Sequence, residues 1–195
     1  NAFGLKGTVR ESENSCDITV STQNSIAFVA ALSGAFYCQN SGAIRVTSVT
    51  GQASGGGGEH VSFCTNNGTV YAEVTQGGSN SLVSAFGLRD AVGSTNNASV
   101  FGQAVSAEVY CEGLSGPYDE TGTPEAEGYN YGDVTALVTN STATVKAVRA
   151  LRHGGENTGA ATARATNGKA VAYGAEECAY FSNTGSVTAT VTGGS

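Results

Sequence analysis

The sequence predicts an all-β domain built from stacked copies of one unit, and three observations carry this prediction. An Asn-x-Gly motif followed by alternating apolar residues recurs at intervals close to 26 residues, as in residues 40–50, 66–75, 130–139 and 183–192. Each interval holds two strand-like segments, and no window shows sustained helical spacing with caps. A fixed period of this length is typical of stacked supersecondary units.

Seven copies of the motif align on the position that glycine most often occupies. The anchors of the alignment are Cys16, Gly42, Gly68, Ala98, Gly132, Gly159 and Gly185. Their spacings are 26, 26, 30, 34, 27 and 26 residues, and the two longer spacings predict loop insertions. Glycine suits a turn at this position because it reaches positive φ without a Cβ penalty.

Each unit is predicted to contain two strands. In the first strand, Val70, Ala72 and Val74 alternate with polar residues, which is the period-2 pattern of a strand with one buried face. The second strand, exemplified by residues 82–86, is apolar on both faces, so we expect it to lie deeper or to be covered by another subunit. We therefore predict about seven two-strand β-arches stacked into two facing sheets, with the relative direction of neighbouring strands left open.

Composition predicts a single β-repeat domain over residues 1–195, with an acidic loop inserted at 112–131. Glycine contributes 28 residues, methionine and tryptophan are absent, and only 13% of the residues are charged. Small side chains of this kind suit a thin, repetitive core. The net charge of −7 disfavours nucleic-acid binding, because no basic patch is available to neutralise phosphates.

The five cysteines predict disulfides in an oxidising setting, and their odd number leaves one for a bond between chains. Cys38 and Cys64 hold equivalent positions in adjacent units, where a strand spacing of about 4.8 Å falls within the disulfide range. They are the first candidates for an internal bond, and Cys111 and Cys178 are the next. Cys16, in the first unit, is the candidate for an intermolecular bond. The alternative is that all five are buried reduced thiols.

An exported chain is the simplest interpretation of the first residue and of the lack of a long apolar run. The sequence begins at Asn1 rather than methionine, and no apolar run approaches the length of a membrane span. We therefore expect a mature extracellular or cell-surface chain from which a signal has been cleaved. Asn67, Asn97 and Asn140 each begin a glycosylation sequon, and the sequence leaves open whether they are modified.

No constellation of residues predicts catalysis, a cofactor or a metal site. The two histidines, His60 and His153, lie at no ligand spacing, and no Cys-x-x-Cys pair occurs. The four glycines at 55–58 lack the lysine and the helix of a phosphate-binding loop, so they are predicted to form a flexible turn. Carboxylates clustered within 112–131 are ligands of the type that calcium prefers, but their order does not support a calcium site.

The two ends of the predicted stack favour self-association. Residues 186–192 form a regularly alternating strand in the last unit, and the segment before the first unit is charged but contains no proline. Charge, proline and capping loops are the usual protection of an edge strand against pairing with another chain. We therefore expect the chain to join copies of itself end to end.

The Asn-x-Gly-x-Val-x-Ala-x-Val-Thr units, the Gly/Ala/Ser/Thr/Val composition, the lack of methionine and the scattered cysteines extend over most of the chain, from Asn14 to Thr192. In these features the chain resembles the archaeal cell-sheath proteins, which are the amyloid-like major subunits of the tubular sheath around filamentous methanogens. The resemblance implies β-arch rings that stack into hoops, extreme resistance to denaturants and no catalytic residues.

The predicted function is a structural, non-enzymatic subunit of an extracellular sheath or filament, a homopolymer held by strand pairing and by an intermolecular disulfide. The first alternative is a surface adhesin or pilus-type subunit that presents the 112–131 loop to a partner. An ice-binding solenoid would need a regular threonine face, whereas the outward positions include Arg45, Tyr71, Glu73 and Arg164. A polysaccharide enzyme would need clustered carboxylates on one sheet face, and the strands contain few.

Overall fold

The computed structural model describes residues 1–78, 80–117 and 126–193, and these residues form a parallel β-solenoid that contains no helix. In chain order the strands are β1 (Ala2–Arg10), β2 (Glu13–Asn14), β3 (Ile18–Phe36), β4 (Gln39–Asn40), β5 (Ile44–Ser62), β6 (Thr65–Asn66), β7 (Val70–Val74), β8 (Leu82–Val92), β9 (Ser94–Asn96), β10 (Val100–Val105), β11 (Glu108–Ser115), β12 (Gly128–Asn130), β13 (Val134–Thr139), β14 (Thr142–Arg149), β15 (Gly155–Asn157), β16 (Ala161–Thr166), β17 (Lys169–Glu176), β18 (Phe181–Asn183) and β19 (Val187–Thr192). Every strand pairing is parallel, which settles the direction that the sequence left open. The predicted all-β class is confirmed.

Each turn of the solenoid places one strand in each of three walls. Wall 1 consists of residues 18–24 of β3, residues 44–50 of β5, and β7, β10, β13, β16 and β19. Wall 2 consists of β1, residues 26–36 of β3, residues 52–62 of β5, and β8, β11, β14 and β17. Wall 3 consists of the short strands β2, β4, β6, β9, β12, β15 and β18.

Two sheets are present, as predicted, but the repeating unit is not a two-strand arch. Because β3 and β5 run through the corner between walls 1 and 2, those walls join into one twelve-stranded sheet, and wall 3 forms a separate seven-stranded sheet. The third strand of each turn is only two or three residues long. Such a strand is too short to show alternation in the sequence, which explains why only two strands were predicted.

Equivalent residues of successive turns stack directly on one another. The first inward-facing column of wall 1 consists of Ile18, Ile44, Val70, Val100, Val134, Ala161 and Val187. The two longer spacings leave this register unchanged, because the extra residues lie between strands, at 75–81 and 116–127. The predicted insertions and the seven repeats are thereby confirmed.

The four glycines at 55–58 do not form the predicted flexible turn. They lie within β5 and are buried. A Cβ added at Gly56 would lie 2.0 Å from Cε2 of Phe86, and one added at Gly57 would lie 2.3 Å from Cγ of Asn66. These glycines therefore make room for larger neighbouring side chains, which is a packing requirement rather than a conformational one.

The strands of wall 2 are buried on both faces near their centres, in agreement with the expected deeper position of the second strand. The outward side chains of Phe86 and Glu112 are 0% and 2% exposed. The pairing register skips Gly87 and Gly113 between these outward residues and the buried leucines that follow. The strands therefore bend at the skipped glycines, and the Arg89 guanidinium, 3.9 Å from the ring centroid, covers Phe86.

Candidate functional site: the asparagine ladder and the open ends

A column of asparagine side chains runs along the solenoid inside wall 3. One residue comes from each turn: Asn14, Asn40, Asn66, Asn96, Asn130, Asn157 and Asn183. The Nδ2 of each of the first six donates a hydrogen bond to Oδ1 of the asparagine in the following turn, at 2.7–2.8 Å. The five interior members are completely buried. An aspartate would fill the same space but could not donate, so the column requires the amide. We call this column the asparagine ladder.

The second N–H of the amide is also used. In six turns it donates to the backbone carbonyl two residues further along, at 2.9–3.2 Å; the donors are Asn14, Asn40, Asn96, Asn130, Asn157 and Asn183. Within the described ranges no fully buried side-chain nitrogen or oxygen lacks a hydrogen-bond partner. A satisfied buried hydrogen bond contributes about 1 kcal/mol, and an unsatisfied buried group costs about 1–3 kcal/mol.

Small residues across the interior make room for the ladder. In five turns the wall 2 residue that faces it is a glycine, at Gly4, Gly57, Gly87, Gly113 and Gly174. A Cβ on each would lie 2.3–2.7 Å from an atom of the asparagine side chain of the same turn. The glycines at these positions therefore follow from the close approach of wall 2 to the ladder.

The predicted turn glycines form a second column, at the corner between walls 3 and 1. Its members are Gly42, Gly68, Gly132, Gly159 and Gly185. None has a positive φ, so the conformational reason given for them is wrong. A Cβ on each would instead lie 1.9–2.1 Å from the carbonyl oxygen of the equivalent residue in the preceding turn. Cys16 holds this position in the first turn, where no described turn precedes it.

Cys38 and Cys64 lie in adjacent turns at the corner between walls 2 and 3. The amide of Cys38 donates to Sγ of Cys64 at 3.3 Å, and each thiol donates to the carbonyl oxygen two residues earlier. Ser12 and Ser94 make the same carbonyl contact in their turns, so the position favours a short donor. Burial raises the pKa of Cys64. The first disulfide candidates are thus neighbours but free thiols, and their bond stays a prediction.

The other three cysteines are also free and lie apart. Cys111 is completely buried in wall 2, where burial raises the pKa of its thiol. Cys178 lies near the corner between walls 2 and 3 in the last turn, and burial raises its pKa too. The structure does not bring Cys111 and Cys178 together. Cys16 is exposed in the first turn, where it can reach another chain.

Each end of the solenoid shows three strand edges without a described partner. The free edges of the first turn belong to β1, β2 and residues 18–24 of β3, and those of the last turn belong to β17, β18 and β19. The apolar interior is open at the last turn. Val187 and Val191 are 45% and 51% exposed there, although the equivalent residues of the interior turns are buried.

The backbone groups left over at the two ends are complementary. In wall 1, the first amide of each strand donates to the following turn, as Ala161 N does to Ser186 O at 2.8 Å. Val187 is the equivalent residue of the last turn. In wall 3 the direction is reversed, as Thr184 N donates to Asn157 O at 2.9 Å. Ser15 is the equivalent of Thr184 in the first turn. The last turn therefore offers a wall 1 donor, and the first turn offers a wall 3 donor.

A groove of about 780 Å³ lies along wall 1, across β7, β10, β13, β16 and β19. Its lining includes Glu73, Gln103, Leu137 and Arg164, together with several threonines. Glu73 accepts hydrogen bonds from Tyr71 Oη at 2.9 Å and from Gln103 Nε2 at 2.6 Å. Arg164 is exposed and has no ion-pair partner among the residues with described structure. The groove therefore combines a cation that has no described ion-pair partner, a hydrogen-bonded carboxylate and neutral hydroxyls.

A polar cluster on wall 2 is satisfied internally. Glu112 accepts hydrogen bonds from Tyr110 Oη at 3.0 Å and from Ser115 Oγ at 3.1 Å, and Arg89 Nε lies 3.9 Å from it. Burial, and then the Glu112 carboxylate, raises the pKa of Tyr110 above its usual range. Because these partners satisfy one another, we interpret the cluster as structural.

The segment predicted as an acidic loop is partly strand, because residues 112–115 belong to β11 and residues 128–130 belong to β12. Residues 118–125 lie outside the described structure, and with them lie Asp119, Glu120 and Glu125 of the carboxylates considered for calcium. The described ranges contain no group of three His, Cys, Asp or Glu residues arranged to hold a metal ion.

The three sequon asparagines are exposed at corners of the solenoid. Asn97 Nδ2 donates to Asn67 Oδ1 at 2.8 Å, so these two side chains lie in adjacent turns. Asn140 has a φ of 60° at the corner between walls 1 and 2. His60 is exposed, and its Nδ1 lies 3.3 Å from Asp90 Oδ2. No helix in the described part of the chain is long and apolar enough to cross a membrane.

The asparagine ladder is the feature that sequence reasoning missed. The Asn-x-Gly motif is predicted to form a turn through its glycine, and that prediction assigns no separate role to the asparagine. The available signal was that all seven repeats use asparagine two residues before the anchor, although aspartate and serine also suit turns. A repeat position that is always asparagine indicates that both the N–H donor and the oxygen acceptor of its side-chain amide form hydrogen bonds.

Comparison of the chain with protein-family models, with curated proteins and with solved structures gives no match.

Proposed function

We propose that this chain is a structural subunit of an extracellular sheath or filament, and that it polymerises by strand pairing at the ends of its solenoid. The observation that carries the proposal is the pair of open ends, each with three free strand edges. Unpaired edges are templates for another strand, and soluble β-proteins usually block them with charge, proline or a covering segment.

The exposed interior at the last turn adds a second driving force. Burial of apolar surface contributes roughly 25 cal/mol per Å². Val187 and Val191 are half exposed, and no turn among the described residues covers them. A further turn would bury these side chains and pair the free backbone groups together, so the two contributions reinforce each other.

The test is whether concentrated protein forms filaments, tubes or sheets, observed by electron microscopy and by sedimentation over a concentration series. The informative variant is Val187→Pro, which removes the free amide donor without removing a hydrogen bond within the chain. Val187→Ala is its matched control, because alanine shortens the side chain and keeps the amide. We expect the proline variant to stay monomeric and the alanine variant to assemble.

Two outcomes would contradict the proposal. One is a wild-type chain that remains monomeric at high concentration. The other is a Val187→Pro variant that assembles as fully as the wild type while its thermal unfolding is unchanged, because assembly would then not use this edge.

Inter-subunit disulfides form a further part of the proposal, and Cys16 is the residue that carries it. It is an exposed thiol in the first turn, whereas Cys38, Cys64 and Cys111 are buried. Non-reducing gel electrophoresis of oxidised assemblies should show a dimer band that is absent from the Cys16→Ser variant. A dimer band that persists in that variant would assign the bond to another cysteine.

The groove on wall 1 favours a second candidate function, that of a surface subunit that binds a partner. Arg164 has no described ion-pair partner in a groove that is also lined by hydroxyl, amide and apolar groups and by the Glu73 carboxylate. That carboxylate is hydrogen-bonded to Tyr71 and Gln103. Charge reversal with Arg164→Glu should abolish binding to an anionic polymer and leave assembly intact. Unchanged binding in this variant would exclude the groove.

A further inference from the structure

The described strands make up seven complete turns. The first turn runs through wall 2 (β1), wall 3 (β2) and wall 1 (residues 18–24 of β3), and the last turn runs through the same walls in the same order (β17, β18 and β19). The solenoid therefore presents the same set of three strands at both ends. If a second copy were placed on the last turn, each of its three first-turn strands would lie beside the strand of the same wall.

The asparagine ladder has a direction that fits this placement. Asn14 donates both N–H groups, one to Asn40 Oδ1 and one to Cys16 O, and its own Oδ1 has no partner among the residues described. At the other end, Asn183 accepts from Asn157 and uses one N–H for Gly185 O, which leaves its second N–H for a following turn. The free donor of one copy thus matches the free acceptor of the next.

The backbone edges match in the same register. Counted from the ladder asparagines, Val187 lies opposite Ile18 of the next copy, and Ser15 of that copy lies opposite Thr184. The Val187 amide would donate to Asp17 O, as Ile18 N does to Ala43 O at 2.9 Å within the chain. The Ser15 amide would donate to Asn183 O, because the equivalent wall 3 amides all donate to the ladder asparagine of the preceding turn.

Side chains on wall 2 also agree with this register. Continuing the observed columns places Tyr173 against Phe3 and Glu176 against Lys6 of the next copy. Tyr173 is 39% exposed, and Lys6 contacts Phe3 in its own chain at 4.3 Å from the ring centroid. Opposite charges in a single register favour that register over slipped ones more than they add affinity.

Cys16 is the one poor fit to this register. Inside the junction its thiol would have no cysteine opposite it, so a disulfide formed by Cys16 in assembled fibres would overturn the register. In this register Cys16 would stand over Gly185, at the position where a Cβ meets a carbonyl oxygen in the other turns. Ala98 shows that a methyl group can be accommodated in this column, but a thiol is larger. The Cys16→Gly variant should therefore assemble from a several-fold lower concentration than the wild type.

We propose that the chain assembles head to tail in this one register, with the asparagine ladder continuing across each junction through Asn183 and Asn14. This inference rests on the proposed function and adds to it the partner, a second copy of the chain, and the contacts between the copies.

Site-directed cross-linking tests the register. Thr188→Cys and Thr19→Cys, each in a Cys16→Ser background, place thiols at positions that the register brings to one strand spacing, within disulfide reach. Both residues are exposed in the single chain. Mixed assemblies of the two variants should form a disulfide in high yield, whereas Thr188→Cys mixed with Gln23→Cys, a matched exposed position four residues away, should not.

The outcomes separate this inference from the proposed function. A disulfide between two Thr19→Cys chains would indicate head-to-head contact and overturn the register, as would assembly without a bond in the Thr188→Cys and Thr19→Cys mixture. In both cases assembly itself would still support a structural subunit. If no variant and no wild-type sample assembles, both proposals fail.

Discussion

The interior turns and the end turns of this solenoid use the same residues in different surroundings. Asn96 is completely buried and bonded to a neighbour on each side, whereas Asn183 is exposed and has a neighbour on one side only. Val134 is completely buried, and its equivalent Val187 is 45% exposed. In both columns, the residues of the interior turns are buried by their neighbours. Those of the last turn keep a hydrogen-bonding group and apolar surface that a further turn could cover.

Substitutions in the asparagine ladder should give the largest difference in stability between an interior turn and an end turn. Asn96→Ala leaves the donor of Asn66 and the acceptor of Asn130 buried without partners, so we expect a loss of about 3–5 kcal/mol in the free energy of unfolding. Asn183→Ala, at the open end, should cost less than about 1 kcal/mol because water can replace the lost partner. Denaturant unfolding of dilute protein measures both values.

The matched control for this comparison is Asn97→Ala, which changes the exposed neighbour of Asn96 and should stay within about 0.5 kcal/mol of the wild type. If Asn96→Ala and Asn183→Ala lowered the free energy of unfolding equally, the stability contributed by the ladder would not depend on its burial.

The corner glycine column gives the second contrast. Gly132→Ala would place a Cβ 1.9 Å from the carbonyl oxygen of Ala98. Overpacking of this kind costs about 1–3 kcal/mol, and the neighbouring group is backbone, which cannot rotate away. Cys16→Ala, at the same position in the first turn, should leave the unfolding of the dilute chain unchanged. A thermal melt of each variant distinguishes the two, and a wild-type melting temperature for Gly132→Ala would contradict the packing argument.

The sequence predicts some walls of the solenoid much better than others. Alternation over five residues identified the wall 1 strand of Val70 to Val74, and the anchor spacings located both insertions. Wall 3 could not be predicted, because a strand of two residues such as β4 has no period. The predicted turn at 55–58 is a buried strand. The sequence does not indicate this, because the side chain that requires a glycine at position 56 is Phe86, thirty residues away. The open ends were predicted from the pattern, but their complementary donors needed the register.

Thiol reactivity should follow the same division between interior and end. Cys16 is exposed, whereas Cys111 is completely buried and burial raises the pKa of its thiol. Because the thiolate is the reactive form, an aromatic disulfide reagent should modify Cys16 in the folded chain and reach Cys111 only when the solenoid opens. Mass spectrometry of samples quenched over time measures the order. Simultaneous modification of the two would indicate that wall 2 opens locally.

Alkaline pH provides the smallest of the expected effects. Burial, and then the Glu112 carboxylate, raises the pKa of Tyr110, so the folded chain holds this proton more tightly than the unfolded chain. The resulting stability is fully present below the pKa of an unfolded tyrosine, about 10, and is lost as the pH rises above it. Tyr110→Phe should therefore unfold with a weaker dependence on pH above 10, measured by circular dichroism. A dependence equal to that of the wild type would assign the effect to other groups.

The asparagine ladder also gives the molecule an electrical polarity along its long axis. Every amide in the column donates toward the same end, so the side-chain dipoles add instead of cancelling, and each bond polarises the next. A fibre that keeps this orientation from copy to copy would have two chemically distinct tips, one ending in a bare carbonyl oxygen and the other in a bare N–H. Growth would then proceed at different rates at its two tips.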